Sequence, residues 1–214
     1  MTAISQGQIE RALKPYRVAS SSQLAKRIRI YIELLLRWNR SISLTTVTDI
    51  DEILRFHFGE SLFALPMIPV QKSRLADVGS GAGFPGLPLA IASQELQVTL
   101  IESDARKFAF LNEVIRSLGL LNAIALRNRM EDIKKIETGL DVVTSRALGQ
   151  FDSLLRWSRV HLRSNGRIVF WIGEHDAQRI SSDGGFIWRP PIAIPDSMHR
   201  VILIGSPIDQ SPTG

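Results

Sequence analysis

Leu75-Ala76-Asp77-Val78-Gly79-Ser80-Gly81-Ala82-Gly83-Phe84-Pro85-Gly86 passes from a short apolar run into three alternating glycines and then into Leu87-Pro88-Leu89-Ala90-Ile91, which has helical character. A strand, a glycine turn and a helix N-terminus in succession suit the phosphate- and ribose-binding corner of doubly wound α/β folds, and equally a tight βα turn that holds no ligand. Gly79, Gly81 and Gly83 lack Cβ atoms, so the backbone there can take positive φ and approach a ligand closely. Pro85 suits the first turn of a helix, where its missing N–H is not needed. The free amides of that turn favour a carboxylate or a phosphate.

Outward from this corner the pattern alternates. Val98–Ile101, Asn122–Leu126, Asp141–Ser145, Arg167–Ile172 and Arg200–Ile204 read as further strands. Between them, 85–93, 104–118, a short stretch near Met130–Ile136 and 151–161 read as helices. Alternation of this kind implies a largely parallel sheet covered on both faces. Upstream, Leu24, Ile28, Tyr31, Leu35 and Trp38 recur at helical spacing within residues 22–40, with basic residues filling the other face. Asp49 followed by Glu52 has the form of a capping box and opens a second helix to about Leu65. Pro66 and Pro69 mark the one internal boundary, dividing a helical extension (1–66) from an α/β unit (67–206) and a loose tail (207–214).

Composition narrows the chemistry. With 44% hydrophobic residues among 214, the chain can bury a core, and no run approaches the roughly 18 apolar residues of a membrane span. There is no cysteine, which excludes disulfides, a thiolate nucleophile and thiolate-bound zinc. The four histidines show no i, i+4 pair, so no metal site is expected. A polar N-terminus without an apolar h-region reads as a cytoplasmic protein. The net charge is +5, and residues 1–50 alone carry eight Lys/Arg against three acids, so the remainder balances. This basic quarter reads equally as a solvated helical face or as a nucleic-acid footprint.

Two acids bear on the ligand. Asp77 ends the first strand, where a carboxylate can accept from the amino group of a methionine-like tail. Glu102 ends the second strand, 23 residues after Gly79, where an acid can bind ribose hydroxyls. Together they favour a nucleotide-like cofactor and separate S-adenosylmethionine from a nicotinamide dinucleotide less sharply.

The chain resembles the bacterial 16S ribosomal RNA guanine-N7 methyltransferases, the RsmG or GidB family. The resemblance runs through Tyr31–Arg40 with its Trp38-Asn39, Ser43-Leu44-Thr45, His57-Phe58-Gly59-Glu60-Ser61-Leu62, the glycine run with Phe84-Pro85-Gly86-Leu87-Pro88, Glu102-Ser103, Asn128-Arg129-Met130-Glu131 and Thr144-Ser145-Arg146-Ala147. It departs at Ser43 and Glu60, where the family has Asn and Asp, and at Trp171-Ile172-Gly173, where the family has Leu-Lys-Gly. The resemblance implies a Rossmann-like class I methyltransferase fold, with a mostly parallel seven-stranded sheet and helices on both faces behind an N-terminal helical extension. It implies S-adenosylmethionine as cofactor, with Gly79 and Phe84 contacting it, Met130 and Glu131 flanking its adenine, and Arg146 at the methyl-transfer end. Asp77, Gly81, Gly83 and Glu102 complete the expected cofactor set. The implied substrate is N7 of a guanine in the 530 loop of 16S RNA, in the 30S subunit or its precursor, acted on by a monomer. A methyltransferase of another substrate, a nicotinamide-dependent oxidoreductase and a non-catalytic RNA-binding relative share parts of this pattern. His57 and Ser61, at i, i+4, read as a packed, hydrogen-bonded pair, and Trp38 as core.

Overall fold

A computed structural model describes residues 4–133, 139–146 and 149–208. Among the described residues eight strands form one sheet: β1 (Arg74–Val78), β2 (Gln97–Ile101), β3 (Ala123–Leu126), β4 (Leu140–Arg146), β5 (Leu162–Gly173), β6 (Phe186–Trp188), β7 (Ile192–Ala193) and β8 (Arg200–Pro207). Their order is β3-β2-β1-β4-β5-β8-β6, with β7 also paired to β8. β1 to β5 pair in parallel, and β8 runs antiparallel to β5, β6 and β7. The chain moves outward from β1 to β2 and β3, then returns to the other side of β1 with β4. That reversal opens a crevice beyond the carboxyl ends of β1 and β4, the place where open α/β sheets hold ligands.

Residue parity along the strands separates two faces. Leu75, Val142, Val169 and Ile202 pack on one face, and Ala76, Val78, Val143, Ile168 and Phe170 on the other. Helices α5 (Gly86–Ala92) and α6 (Ala105–Leu118) cover the first face together with the N-terminal helices. Helices α7 (Phe151–His161) and α8 (Glu174–Ile180) cover the second.

The N-terminal helices are α1 (Gln6–Leu13), α2 (Ser22–Trp38), α3 (Ile50–Glu52), a π-helical stretch (Ile53–Gly59) and α4 (Glu60–Phe63). Ser5 and Ser21 cap α1 and α2 by accepting from Gln8 N and Leu24 N, and Asp49 caps α3 by accepting from Glu52 N. α2 buries Ala25, Ile28, Tyr31, Ile32, Leu34 and Leu35 in the same continuous core as the sheet. Trp38 packs half-buried against this core, and its indole N–H donates to Glu113 Oε2 at 2.7 Å.

The second helix therefore runs as expected from Asp49, but it widens to i→i+5 bonding over seven residues before α4. The α1 helix lies where the sequence reads only as polar, because three residues, Ile9, Ala12 and Leu13, make up its buried face. The strands β6 and β7 and helix α8 leave no clear pattern in the sequence. They are short, and β6 has a single buried residue. The expected short helix near Met130–Ile136 is a 3-10 turn over Met130–Asp132, and residues 134–136 lie outside the described residues.

Candidate functional site

The glycine turn closes on backbone groups of β2. Gly79 N and Ser80 N donate to Ile101 O at 2.9 and 3.1 Å, and Gly83 N donates to Ser80 O at 2.6 Å. Gly79, Gly81 and Gly83 hold φ of 70°, 55° and 90°, a region that admits glycine far more readily than other residues. The turn projects beyond the sheet and forms one wall of a cleft of about 540 Å³, within the size range of small-molecule and cofactor sites. Val78, Gly79 and Gly81 line it from β1, Ile101, Glu102 and Ser103 from β2, and Asn128 to Glu131 from beyond β3. Lys107, Gly149 and Gln150 complete the lining.

Glu102 is the organising acid of the cleft. Its Oε2 accepts from Gly81 N at 2.9 Å and its Oε1 from Asp104 N at 2.8 Å. These bonds hold the glycine turn against the start of α6 and leave the remaining lone pairs for ligand hydroxyls. Asp104 in turn caps α6 by accepting from Arg106 N and Lys107 N. Its carboxyl is held below the usual range mainly by the Lys107 amide.

Of the residues singled out from sequence, Gly79, Gly81, Glu102, Met130 and Glu131 meet at this cleft. Asp77, Gly83, Phe84 and Arg146 do not line it. Asp77 shares the parity of Leu75, so it points to the face covered by the N-terminal helices. It is 1% exposed, its Oδ1 accepts from Thr144 Oγ1 at 2.8 Å and its Oδ2 from Gly86 N at 3.3 Å. Burial pushes its carboxyl up to about 6, against the opposing hydrogen bonds. Asp77 thus joins β1 to β4 and to the head of α5 from behind the turn.

Phe84 is also behind the turn. Its ring stacks on Tyr31 with centroids 5.2 Å apart and on His57 at 4.6 Å, and meets Phe58 edge-on. The Tyr31 hydroxyl donates to Ala82 O. A methyl group placed on Gly83 would lie 2.5 Å from both Tyr31 Oη and Leu87 Cδ1.

His57 packs as read, but its bond to Ser61 is through the backbone: Ser61 Oγ donates to His57 O. The ring Nε2 instead faces Thr45 Oγ1 at 2.8 Å. Burial, aided by Arg146 and Arg200, lowers its pKa to about 3, so the ring is neutral near pH 7. Thr45 belongs to a loop held by Asn39, whose Oδ1 accepts from Leu44 N and Thr45 N and whose Nδ2 donates to Thr45 O.

Arg146 ends β4 and pairs with Glu60, Nη2 to Oε2 at 3.2 Å. Arg200 of β8 pairs with the same carboxylate, Nη2 to Oε1 at 2.6 Å. Sequence reasoning did not single out Glu60 or Arg200 for the site, since 86 and 54 residues separate them from Arg146. At the departure from the family's Leu-Lys-Gly, Trp171 is buried and its indole N–H donates to Glu60 O at 2.7 Å, while Ile172 joins the core of the second face. The lysine of the family has no counterpart at that position.

Nor is the basic helix simply a solvated face. Arg27 and Arg29 donate to the carbonyls of Ile91 and Ile4, and Arg37 pairs with Glu113, so three of its cations are engaged within the molecule.

The family model for rRNA small subunit methyltransferase G matches residues 24–184. The chain belongs to the rRNA small subunit methyltransferase G family. A family member from Nitrosomonas europaea is 41% identical over 147 residues, 69% of this chain and 67% of that protein. One from Paramagnetospirillum magneticum is 39% identical, covering 72% of this chain and 73% of that protein. One from Clostridium botulinum (strain Eklund 17B / Type B) is 36% identical, and the match spans 70% of this chain but 64% of that protein.

The fold is that of S-adenosylmethionine-dependent methyltransferases. A solved SAM-dependent methyltransferase from Aquifex aeolicus superimposes with a TM-score of 0.62 at 14% identity, over 73% of this chain and 93% of that one. A SAM-dependent O-methyltransferase from Thermotoga maritima gives 0.61 at 14% identity, over 85% and 72%. The matched span of the G family, 24–184, takes in both the cleft and the helices behind the glycine turn. Among the described residues, no helix is long and apolar enough to cross a membrane.

Proposed function

We propose that the chain binds S-adenosylmethionine in the cleft and transfers its methyl group to N7 of a guanine in 16S rRNA, in the 530 loop, with the 30S subunit or its precursor as partner. The observation that carries this reading is the cleft, where Glu102 braces the glycine turn from the end of β2 inside the span matched by the G family. The cleft suits the cofactor. An added methyl group at Gly81 would meet only Gly79 O at 3.9 Å, so there is room beside the turn, and Glu102 retains acceptor capacity for ribose hydroxyls. Met130 and Glu131 would flank the adenine. Phe84, Gly83 and Asp77 support the turn from behind and act on the cofactor through it. Residues 67–206 carry the transfer unit, and 1–66 form the extension that builds the rear of the turn.

When bound, the cofactor supplies an electrophilic methyl group on a sulfonium. Guanine N7 presents an unprotonated lone pair, so the chain need not supply a general base. That agrees with His57, the histidine nearest the turn, being buried, neutral and stacked on Phe84. The task left to the protein is to hold the base at near-attack distance and exclude water. Arg146, at the end of β4, would orient the nucleotide. The target base has to leave its stack to reach the cleft. The protein acts as a cytoplasmic monomer.

The test is transfer of labelled methyl from S-adenosylmethionine to undermethylated 30S subunits and to their naked RNA, with the product mapped by mass. A single N7-methylguanine in the 530 loop is expected. No transfer to either substrate overturns the proposal, and transfer to another position or another molecule replaces the substrate while keeping the chemistry.

A further inference from the structure

Glu60 opens α4 with no exposed surface, yet two guanidiniums from separate strands converge on it. Arg146 reaches Oε2 from the end of β4, and Arg200 reaches Oε1 from the start of β8. A buried carboxylate persists only when paired, and burial raises the Glu60 pKa against the pull of the two arginines. One carboxylate against two guanidiniums leaves the cluster with one positive charge in excess. Arg146 Nη1 is buried and finds no hydrogen-bond partner among the described residues. The Arg200 side chain remains 37% exposed and lies over the Phe56 ring at 5.4 Å. On the same ring, at 5.5 Å, lies Arg55, which Asp196 holds at 3.1 Å.

The cluster lies at the same end of the sheet as the cleft. Asp77 pairs with Thr144 in the β1/β4 register, so Arg146 stands level with Gly79, and Gly149 and Gln150 beyond it line the cleft wall. A surplus positive charge with one partly exposed guanidinium at this end of the sheet fits an anionic oxygen, and a guanidinium presents donors in the geometry of a phosphate.

Resting on the RNA methyltransferase reading above, we propose that Glu60 is a positioning residue. It holds Arg146 and Arg200 side by side so that the partly exposed guanidinium of Arg200, backed by the charge of Arg146, grips a phosphodiester of the RNA flanking the target guanine. Glu60 itself, enclosed and ion-paired with both arginines, does not touch the substrate. The substitution of Glu60 for the family's Asp keeps the charge in this role. Trp171, donating to the Glu60 carbonyl, fixes the backbone from which the carboxylate extends.

The experiment compares wild type, Glu60→Gln, Glu60→Asp and Arg200→Met in three measurements. These are filter binding of undermethylated 16S RNA across a salt series, adenosylhomocysteine binding by calorimetry, and KM for each substrate. Glu60→Gln is expected to weaken RNA binding by about tenfold to a hundredfold. The slope of log affinity against log salt becomes shallower by about one, for the single phosphate no longer neutralised. KM for RNA rises while adenosylhomocysteine affinity stays within about twofold, and Glu60→Asp restores most of the RNA affinity. Arg200→Met, on a partly exposed side chain, shows the shallower slope even where Glu60→Gln folds poorly. RNA affinity and salt slope unchanged in Arg200→Met, or in folded Glu60→Gln, overturn the proposal. So does a Glu60→Asp variant no better than Glu60→Gln. Binding is read without turnover, so a wild-type protein that binds RNA but transfers no methyl overturns the proposed function and leaves this result separately legible.

Discussion

The two sides of one glycine turn obey opposite constraints. In front, Gly81 faces a cleft in which an added methyl group has no close neighbour. Behind, Gly83 is wedged between Tyr31, Leu87 and Leu111, with Phe84 stacked between Tyr31 and His57. The same residue type thus recurs for two reasons, open space for a ligand at one position and lack of space for a side chain at the next. The acids divide likewise. Glu102 faces the cleft and braces the turn from the front, while Asp77 is sealed behind it.

Substitutions that separate front from rear test this contrast. Gly83→Ala should be the most damaging: it forces a Cβ to 2.5 Å from two neighbours at φ 90°, a combination of overpacking and backbone strain worth about 3 kcal/mol or more. Urea denaturation should show the loss, and a midpoint near wild type would dissolve the distinction.

Asp77→Asn comes next and carries a pH signature. The folded-state pKa of Asp77 is raised from 3.8 to about 6, so over that window the native state retains a proton that the unfolded chain has released. Asp77 therefore weakens folding progressively as pH rises through the window, and the variant lacks this component. The stability of Asp77→Asn relative to wild type should climb between those pH values and then level off. Parallel stability curves for the two proteins would place the Asp77 carboxyl outside this account.

Tyr31→Phe removes one buried hydrogen bond and leaves the Ala82 carbonyl without its donor, for a loss of about 1 kcal/mol. Faster amide exchange at the turn, at unchanged ring packing, would accompany it. Gly81→Ala should alter stability least, by about 1 kcal/mol of left-handed backbone strain, yet lower adenosylhomocysteine affinity by about tenfold because its side chain enters the cleft. Equal effects of Gly81→Ala and Gly83→Ala in both assays would erase the front and rear of the turn.

Much of the fold is legible in the residues alone. The alternation of apolar runs locates β1 to β5 and β8, because period-two and period-3.6 patterns are local signals. The start of β5 is not legible: it begins at Leu162 rather than Arg167, through the polar residues Arg163-Ser164-Asn165, which have no buried face to betray a strand. Asp77 is assigned to the ligand by its place in the motif. The parity it shares with Leu75 is equally visible in the sequence and turns it inward. The Glu60 cluster leaves no such local mark, because its three members come from α4, β4 and β8 and meet only through tertiary packing. The basic N-terminal quarter is open to two readings, and three of its arginines prove to be tied to Ile91, Ile4 and Glu113.

The rear of the turn also sets an order of events during synthesis. Ile28, Tyr31, Ile32 and Leu35 leave the ribosome well before the sheet that will cover them, so the nascent chain carries uncovered apolar residues. When Gly83 and Phe84 follow, the residues against which they must settle have already been synthesised. A fragment beginning at β1 would have to close its turn against solvent, and the helical leader thereby serves as the template on which the catalytic corner is cast.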